Sequence, residues 1–454
     1  MSMTPERELA SLLVSRATFG ARPGDAERVA ASGTKRWLDE QLHPERIDDS
    51  AFEETLAVYP DLRLSASELI EKYPRNESSR GASRNLLLQL SHAKLRRVIR
   101  SERQLQEVLT DFWFNHFNVY ARKNHNVVLS LPSYERDAIR PRVFGKFEDL
   151  LRATAEHPAM LLYLDNWINF KEGFDPREEI RSRRGRRGRR KAEMDSERPE
   201  REEPRKLGLN ENYARELLEL HTLGVDGGYR QEDVLEVARA FTGWSVVRPR
   251  FAGIAKREEG SFFFADMAHD PGAKTVLGKR LTGKGAGEGL EVLEMLSRHP
   301  STARFLSTKL ARRFVAEEPP PSLVDEMTKT YLETGGDLRA LVRTVFLSPA
   351  FVEAARKAEL VKTPLELVAS ALRAASAESP GPALVRALFD LGMPLYLCQP
   401  PTGYDQGSTT WLSAGNLLSR VRFALDLGGG RIPGVEGVGS DMALTIASPA
   451  FQRH

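Results

Sequence analysis

The sequence predicts a mainly all-α protein, a multi-helix bundle carrying at most a short β-hairpin. Three observations predict it. Apolar residues recur at helical spacing along most of the chain, alternating strand-like runs are scarce, and capping residues stand where the periodic runs begin.

Taken in order, Asp25 suits the cap of a helix over residues 26–32 that stops at Gly33. Leu105, Val108, Leu109, Phe112 and His116 keep one helical face, as do Tyr213, Leu217 and Leu220, and then Val234, Val237, Ala238 and Phe241. Val246–Val247 and Ser261–Phe264 are the best strand candidates and suggest one hairpin. Ser301 precedes the run Leu306, Leu310 and Phe314 and suits a cap. Leu338, Leu341, Val342 and Val345 repeat the spacing, and Thr363-Pro364 starts another helix with proline in its first turn. Phe346-Leu-Ser-Pro-Ala-Phe351 echoes Ile446-Ala-Ser-Pro-Ala-Phe451. Two short matches mark a recurring helix end rather than a repeat protein.

One stretch breaks the pattern. From Arg181 to Lys191 eight of eleven residues are basic, and Glu193 to Glu203 adds six acids. With so few apolar groups it cannot offset its ordering entropy, and residues 175–206 read as a disordered insertion. The expected organisation is an N-terminal helical part (1–174), this insertion, and a C-terminal helical part (207–454) that packs with the first as one unit. The insertion is either a solvated connection or an arginine-rich arm for nucleic acid or an acidic partner. It lacks aromatics for base stacking, which disfavours nucleic acid.

The composition excludes several classes. With 66 basic and 63 acidic residues the net charge is +3, so no global field favours nucleic acid or anionic lipid. The lone Cys398 excludes an internal disulfide and cysteine-rich metal sites. No apolar run approaches a membrane span, and Glu6 and Glu8 do not suit a signal peptide. The reading is a cytoplasmic protein with no membrane partner.

The densest chemistry lies in Asn210-Glu-Asn-Tyr-Ala-Arg-Glu-Leu-Leu-Glu-Leu-His-Thr-Leu-Gly224. On a regular helix Asn212, Glu216 and Glu219 share one face and His221 stands at the core boundary. Two carboxylates and a histidine so close suit a divalent metal ion or an acid–base pair. They also fit a charged outer face on which Arg215 pairs locally. A second cluster, Glu107, Asp111, Asn115 and Asn118, forms a polar stripe among aromatics with His116, either a buried network or the wall of a site. His269-Asp-Pro-Gly272 reads as an exposed turn or an added ligand, and the segment from Gly392 to Tyr404 as a loop or a pocket lip holding Gln399 and Tyr404. Di-iron spacing fails, because Glu219 and His221 are two apart. Gly283 to Gly289 reads as a glycine-rich flexible loop without a phosphate-binding ending.

These motifs together resemble a bacterial family, domain of unknown function 1800. The resemblance rests on Asn210–Gly224 with its continuation to Trp244, Ser15–Gly24, Leu109–Asn118, His157–Leu161, His269–Gly272, Gln399–Tyr404 and Ser448–Arg453. It implies one family unit over nearly the whole chain and a sulfatase-like partner protein encoded nearby. It implies no activity.

The leading expectation is an enzyme, a hydrolase or oxidoreductase assisted by a divalent metal, with a pocket built from Asp111, His116, Glu216, Glu219 and His221. Asn212, Arg215, Trp244, His269, Gln399 and Tyr404 would bind or wall it. The alternatives are a helical scaffold or accessory protein for a partner, and nucleic-acid binding through the arginine-rich segment.

Overall fold

The computed structural model of the protein describes residues 4–75, 79–175, 208–248, 257–377, 381–435 and 438–454. Within them the chain is mainly helical. The α-helices of eight residues or more are α1 (Pro5–Ala17), α2 (Asp25–Ser32), α3 (Thr34–Leu42), α4 (Ser79–Arg100), α5 (Gln104–His116), α6 (His125–Ser133), α7 (Phe147–Ala155), α8 (Gln231–Ala240) and α9 (Ala286–Ser297). They continue with α10 (Pro300–Phe314), α11 (Pro321–Thr334), α12 (Leu338–Leu347), α13 (Pro349–Lys357), α14 (Pro364–Ala374), α15 (Ala383–Asp390), α16 (Ala414–Gly428) and α17 (Ser440–Ala447). The arginine-rich stretch lies outside the described residues. Among the described residues no helix is long and apolar enough to cross a membrane.

The expected hairpin is present. Strand β1 (Trp244–Val246) pairs antiparallel with β2 (Phe262–Phe264), Ser245 opposite Phe263. A second pair, β3 (Thr275–Val276) with β4 (Lys279–Arg280), was not foreseen. Two residues per strand are too few for alternation to show.

The caps follow local chemistry, with two corrections. Thr363 caps α14 as predicted, in a reciprocal box with Glu366. Asp25, however, is the first residue of α2. Gly24, at φ 84°, holds the cap position, and the Asp25 carboxylate turns back to accept from the Arg22 N–H at 2.9 Å. Ser301 does not cap α10. His299 does, its Nδ1 accepting from the Ser301 N–H at 3.1 Å. His157 caps its short helix identically, accepting from Ala159 at 3.1 Å. Both histidines precede a proline. Proline opens the helix with its fixed φ and has no N–H, so the first orphan donor is the next amide, within reach of the imidazole. The echoed Ser-Pro motifs share a similar device: Ser348 accepts from the Phe351 N–H at 3.1 Å, and Ser448 from Phe451 at 3.3 Å.

Among the described residues two segments have the wider π-helical turn, Tyr134–Ile139 and Leu217–Thr222. In the second, the Leu223 N–H reaches Leu218, and Thr222 Oγ1 donates to the Leu217 carbonyl at 2.6 Å. The wider turn breaks the regular phase on which Glu216, Glu219 and His221 were placed.

The glycine-rich segment is only half a loop, since α9 begins at Ala286. Gly289 lies inside that helix, where an added Cβ would sit 2.7 Å from the Trp244 ring. Glycine lets the helix touch the indole.

One apolar core joins Leu13 and Val14 of α1 to Ile446 of α17. Near its centre Trp113 stacks with Phe117 at 6.1 Å and lies 5.8 Å from Phe147. On α10, Leu306, Leu310 and Phe314 are fully buried. Truncating such a leucine costs about 2–5 kcal/mol. The same helix brings Lys309 to His116 of α5.

Candidate functional site

Helix α5 carries the polar stripe, and the structure divides it in two. Its first half is a buried ion-pair network. Arg140 pairs with Glu107 and lies 2.9 Å from Glu135, while Lys94 lies 2.8 Å from Asp111 and 3.5 Å from Glu135. Tyr396 donates to Glu135 at 2.9 Å. These groups satisfy one another and tie α5 to α4, as buried charges must.

The second half faces a loop. Asn118 Nδ2 donates to the carbonyls of Cys398 at 3.0 Å and Pro400 at 2.8 Å. Asn115 pairs with the Tyr404 backbone in both directions, donating at 2.8 Å and accepting at 2.7 Å. The fit requires glycine at 403, where φ is 75° and a Cβ would stand 2.3 Å from the Asn115 carbonyl oxygen. The Tyr404 hydroxyl donates to the Pro394 carbonyl at 2.6 Å and braces the loop from below.

Between this loop, α5 and α10 lies a cavity of about 450 Å³ lined by Phe112, Asn115, His116, Lys309, Arg312, Glu317 and Thr402–Gly407. His116 and Lys309 form its floor. His116 Nε2 lies 3.1 Å from the His221 carbonyl oxygen, and His116 Nδ1 lies 3.0 Å from Lys309 Nζ. The carbonyl can only accept, so Nε2 carries a proton, and in a neutral ring Nδ1 then accepts from the lysine. Burial drives His116 well below the usual histidine range and the Lys309 charge pushes the same way, while the hydrogen bond to the His221 carbonyl opposes them. The imidazole is therefore neutral and its tautomer is set by a backbone atom.

Lys309 has no ion-pair partner among the described residues. Its Nζ lies 5.4 Å from the Phe305 ring centroid. Burial, and then Arg312 one turn further along α10, lower its pKa to about 8. The carboxylates that line the cavity are engaged elsewhere. Glu317 accepts from the Ser408 N–H at 2.7 Å. Asp405 accepts from Thr410 Oγ1 at 2.5 Å and the Gly407 N–H at 2.9 Å, and these bonds hold it below the usual carboxylate range. The uncommitted charges are cationic.

The structure brings together some expected residues and separates others. His116 and His221 meet, their ring centroids 6.2 Å apart, and Tyr404 joins His116 at the cavity. Asp111 lines a small neighbouring cleft with Asn115, Arg312 and Tyr404. Glu216 and Glu219 do not line the cavity. Glu216 is half-buried near Tyr163, raised by burial and then by Glu219, and Glu219 accepts from the Tyr229 hydroxyl at 3.4 Å. Asn212 is exposed at the start of its helical turn, and Arg215 pairs locally with Glu211 at 2.8 Å. Trp244 is a core residue packed edge-to-face with Phe241. Gln399 is exposed, its carbonyl accepting from Tyr163 at 2.7 Å. His269 is not in an exposed turn. It is buried, with Nε2 3.3 Å from Glu288, which also pairs with Lys274 at 2.6 Å. Among the described residues no group of three or more His, Cys, Asp or Glu side chains is arranged to hold a metal ion.

Lys309, Arg312, Glu317 and Asp405 were missed by sequence reasoning. Lys309 precedes a buried leucine on an amphipathic helix, as any lysine with an extended stem does. Only Asp405 had a signal, following directly on Gly403-Tyr404.

The family model described as Protein of unknown function (DUF1800) matches residues 12–452. No curated protein matches the chain, and no solved structure does.

Proposed function

The chain belongs to the DUF1800 family, and from its cavity we propose that it is an enzyme acting on a small anionic molecule, with Lys309 and His116 as the proton-transferring pair. One observation carries this reading: Lys309 Nζ stands 3.0 Å from His116 Nδ1 at the floor of a cavity of about 450 Å³. Arg312 supplies a permanent cation beside it, and the lining carboxylates are held by loop donors. A group titrating near 8 exchanges protons close to neutral pH, which suits general acid–base work. The volume fits a metabolite-sized ligand. The Glu216 and Glu219 pair, the basis for a metal-assisted hydrolase or oxidoreductase, has no part in this cavity. Thermal unfolding with a panel of small carboxylates and phosphates at low ionic strength tests the reading. The expected result is stabilisation of the wild type by some of them, lost in Lys309→Met and Arg312→Met. Equal stabilisation of all three proteins would sink it.

A second reading, an accessory protein for a partner, is favoured by a separate observation. Leu417, Leu418, Val421 and Leu425 on α16 and Leu444 on α17 are exposed, Leu418 and Leu444 each at 71%. Such a patch suits a protein contact. Co-purification with a co-expressed sulfatase-like neighbour, present for wild type and absent for the double variant Leu418→Asp, Leu444→Asp, would support it. Undiminished co-purification of that variant would count against it.

A further inference from the structure

We propose that Lys309 is a nucleophile whose Nζ condenses with the carbonyl carbon of a small aldehyde or ketone that carries an anionic group held by Arg312. The inference rests on the anion-pocket reading above and goes beyond it by naming the reactive group of the substrate and a covalent step.

Three features of the geometry support it. The first is orientation. The His221 carbonyl holds the His116 proton on Nε2, so Nδ1 accepts one N–H of Lys309, whose side chain lines the cavity. The imidazole is itself fixed by edge contacts with Trp113 at 5.2 Å and Phe117 at 4.5 Å. The second is the surroundings of the amine. No carboxylate pairs with it among the described residues, an aromatic ring lies on one side, and Arg312 stands one turn along the helix. An unpaired amine near a second cation is how proteins keep a lysine nucleophilic. With a pKa of about 8, roughly one Lys309 in ten is a free amine at pH 7, against fewer than about one in a thousand for an exposed lysine. The third is the charge left over at the cavity wall. Arg312 has no ion-pair partner among the described residues, and its fork matches a carboxylate or phosphoryl group.

The step balances without an oxidant or reductant. The amine lone pair attacks the carbonyl carbon, a C–N bond forms, and the carbonyl oxygen becomes a hydroxyl. That oxygen then leaves as water with both amine hydrogens, and a C=N bond remains. His116 Nδ1 is placed to take a proton from the nitrogen and return it to the departing oxygen.

Glyoxylate is a suitable probe, being an aldehyde and a carboxylate in one small molecule. The full chain is incubated with glyoxylate and cyanoborohydride at pH 7, which converts the imine to carboxymethyl-lysine, and the modified peptides are mapped. Lys309 is expected to be modified roughly tenfold faster than exposed lysines such as Lys35. Its rate should rise as pH increases through 8, fall when malonate competes, and vanish in Lys309→Arg. Modification of Lys309 no faster than of Lys35 overturns the proposal. Malonate binding measured by calorimetry separates the two ideas. If malonate binds the wild type and not Arg312→Met while glyoxylate leaves Lys309 untouched, the imine falls and the anion pocket stands. If malonate and the wider anion panel all fail to bind, both fall.

Discussion

Asn115 pairs with Tyr404 in both directions, its amide donating at 2.8 Å and accepting at 2.7 Å across 289 residues of sequence. A helix side chain thereby substitutes for a strand partner and holds a loop against α5. Replacing Asn115 by alanine leaves the Tyr404 N–H and carbonyl without partners, at a cost of about 1–3 kcal/mol. Hydrogen exchange at the Tyr404 amide should accelerate, and anion affinity should fall as the cavity wall loosens. Gly403→Ala should act in the same direction, because φ is positive there and the Cβ meets the Asn115 carbonyl oxygen. Unchanged exchange in the Asn115 variant would show that the pairing does not hold the loop.

The buried network on the first half of α5 makes a stability prediction. Lys94 is buried between Asp111 and Glu135. Lys94→Met removes the cation from both carboxylates, which costs about 3–5 kcal/mol in urea denaturation. A loss below about 1 kcal/mol, the size expected for an exposed pair, would mean that water screens the site.

Acid should destabilise the protein through its histidines. Burial holds His157 and His221 at about 3. In the unfolded chain both take up a proton near 6.5, so below that pH the unfolded state binds more protons than the native state. Their contribution is complete above 6.5 and is lost as pH falls toward 3. Between pH 6.5 and 5 each should account for roughly 2 kcal/mol. Urea midpoints measured at pH 7 and pH 5 should differ accordingly. His157→Gln, which keeps an acceptor near the Ala159 N–H, should flatten the slope.

Lys309 carries a pH dependence of the same sign in a higher window. Its pKa of about 8 lies below the ordinary lysine value, so between about 8 and 10.5 the unfolded state holds a proton that the native state has released. The buried charge costs stability below 8, and that cost is relieved as pH rises through this window. Lys309→Met should therefore raise the unfolding midpoint at pH 7, with a smaller gain at pH 10. Lost stability at pH 7 would mean that the lysine packs favourably while charged.

Residues 170 and 208 are tied at the base of the arginine-rich stretch. The Phe170 N–H donates to the Gly208 carbonyl at 3.2 Å, and the Asn210 N–H donates to Asn169 Oδ1 at 2.9 Å. Replacing 177–205 with a short Gly-Ser connection should leave the urea midpoint within about 1 kcal/mol of wild type, since loop length enters only logarithmically. Failure of that variant to fold would show that the stretch contributes to the core.

What the sequence alone determined about this protein is whatever depends on nearest neighbours. Periodicity located the helices around Val108 and Leu306, a threonine before a proline marked the start of α14, and the long motifs identified the family. Backbone hydrogen bonds and one-sided burial are local or periodic, so a single sequence displays them. What only the tertiary structure decided depends on groups far apart in the chain. It set the π-turn that aims the His221 carbonyl at His116, the burial of His269 beside Glu288, and the cavity that pairs His116 with a lysine 193 residues away. The lowered pKa of Lys309 comes from the removal of water and then from the charge of Arg312. The first is a property of the space around a side chain, and no local pattern of residues encodes it.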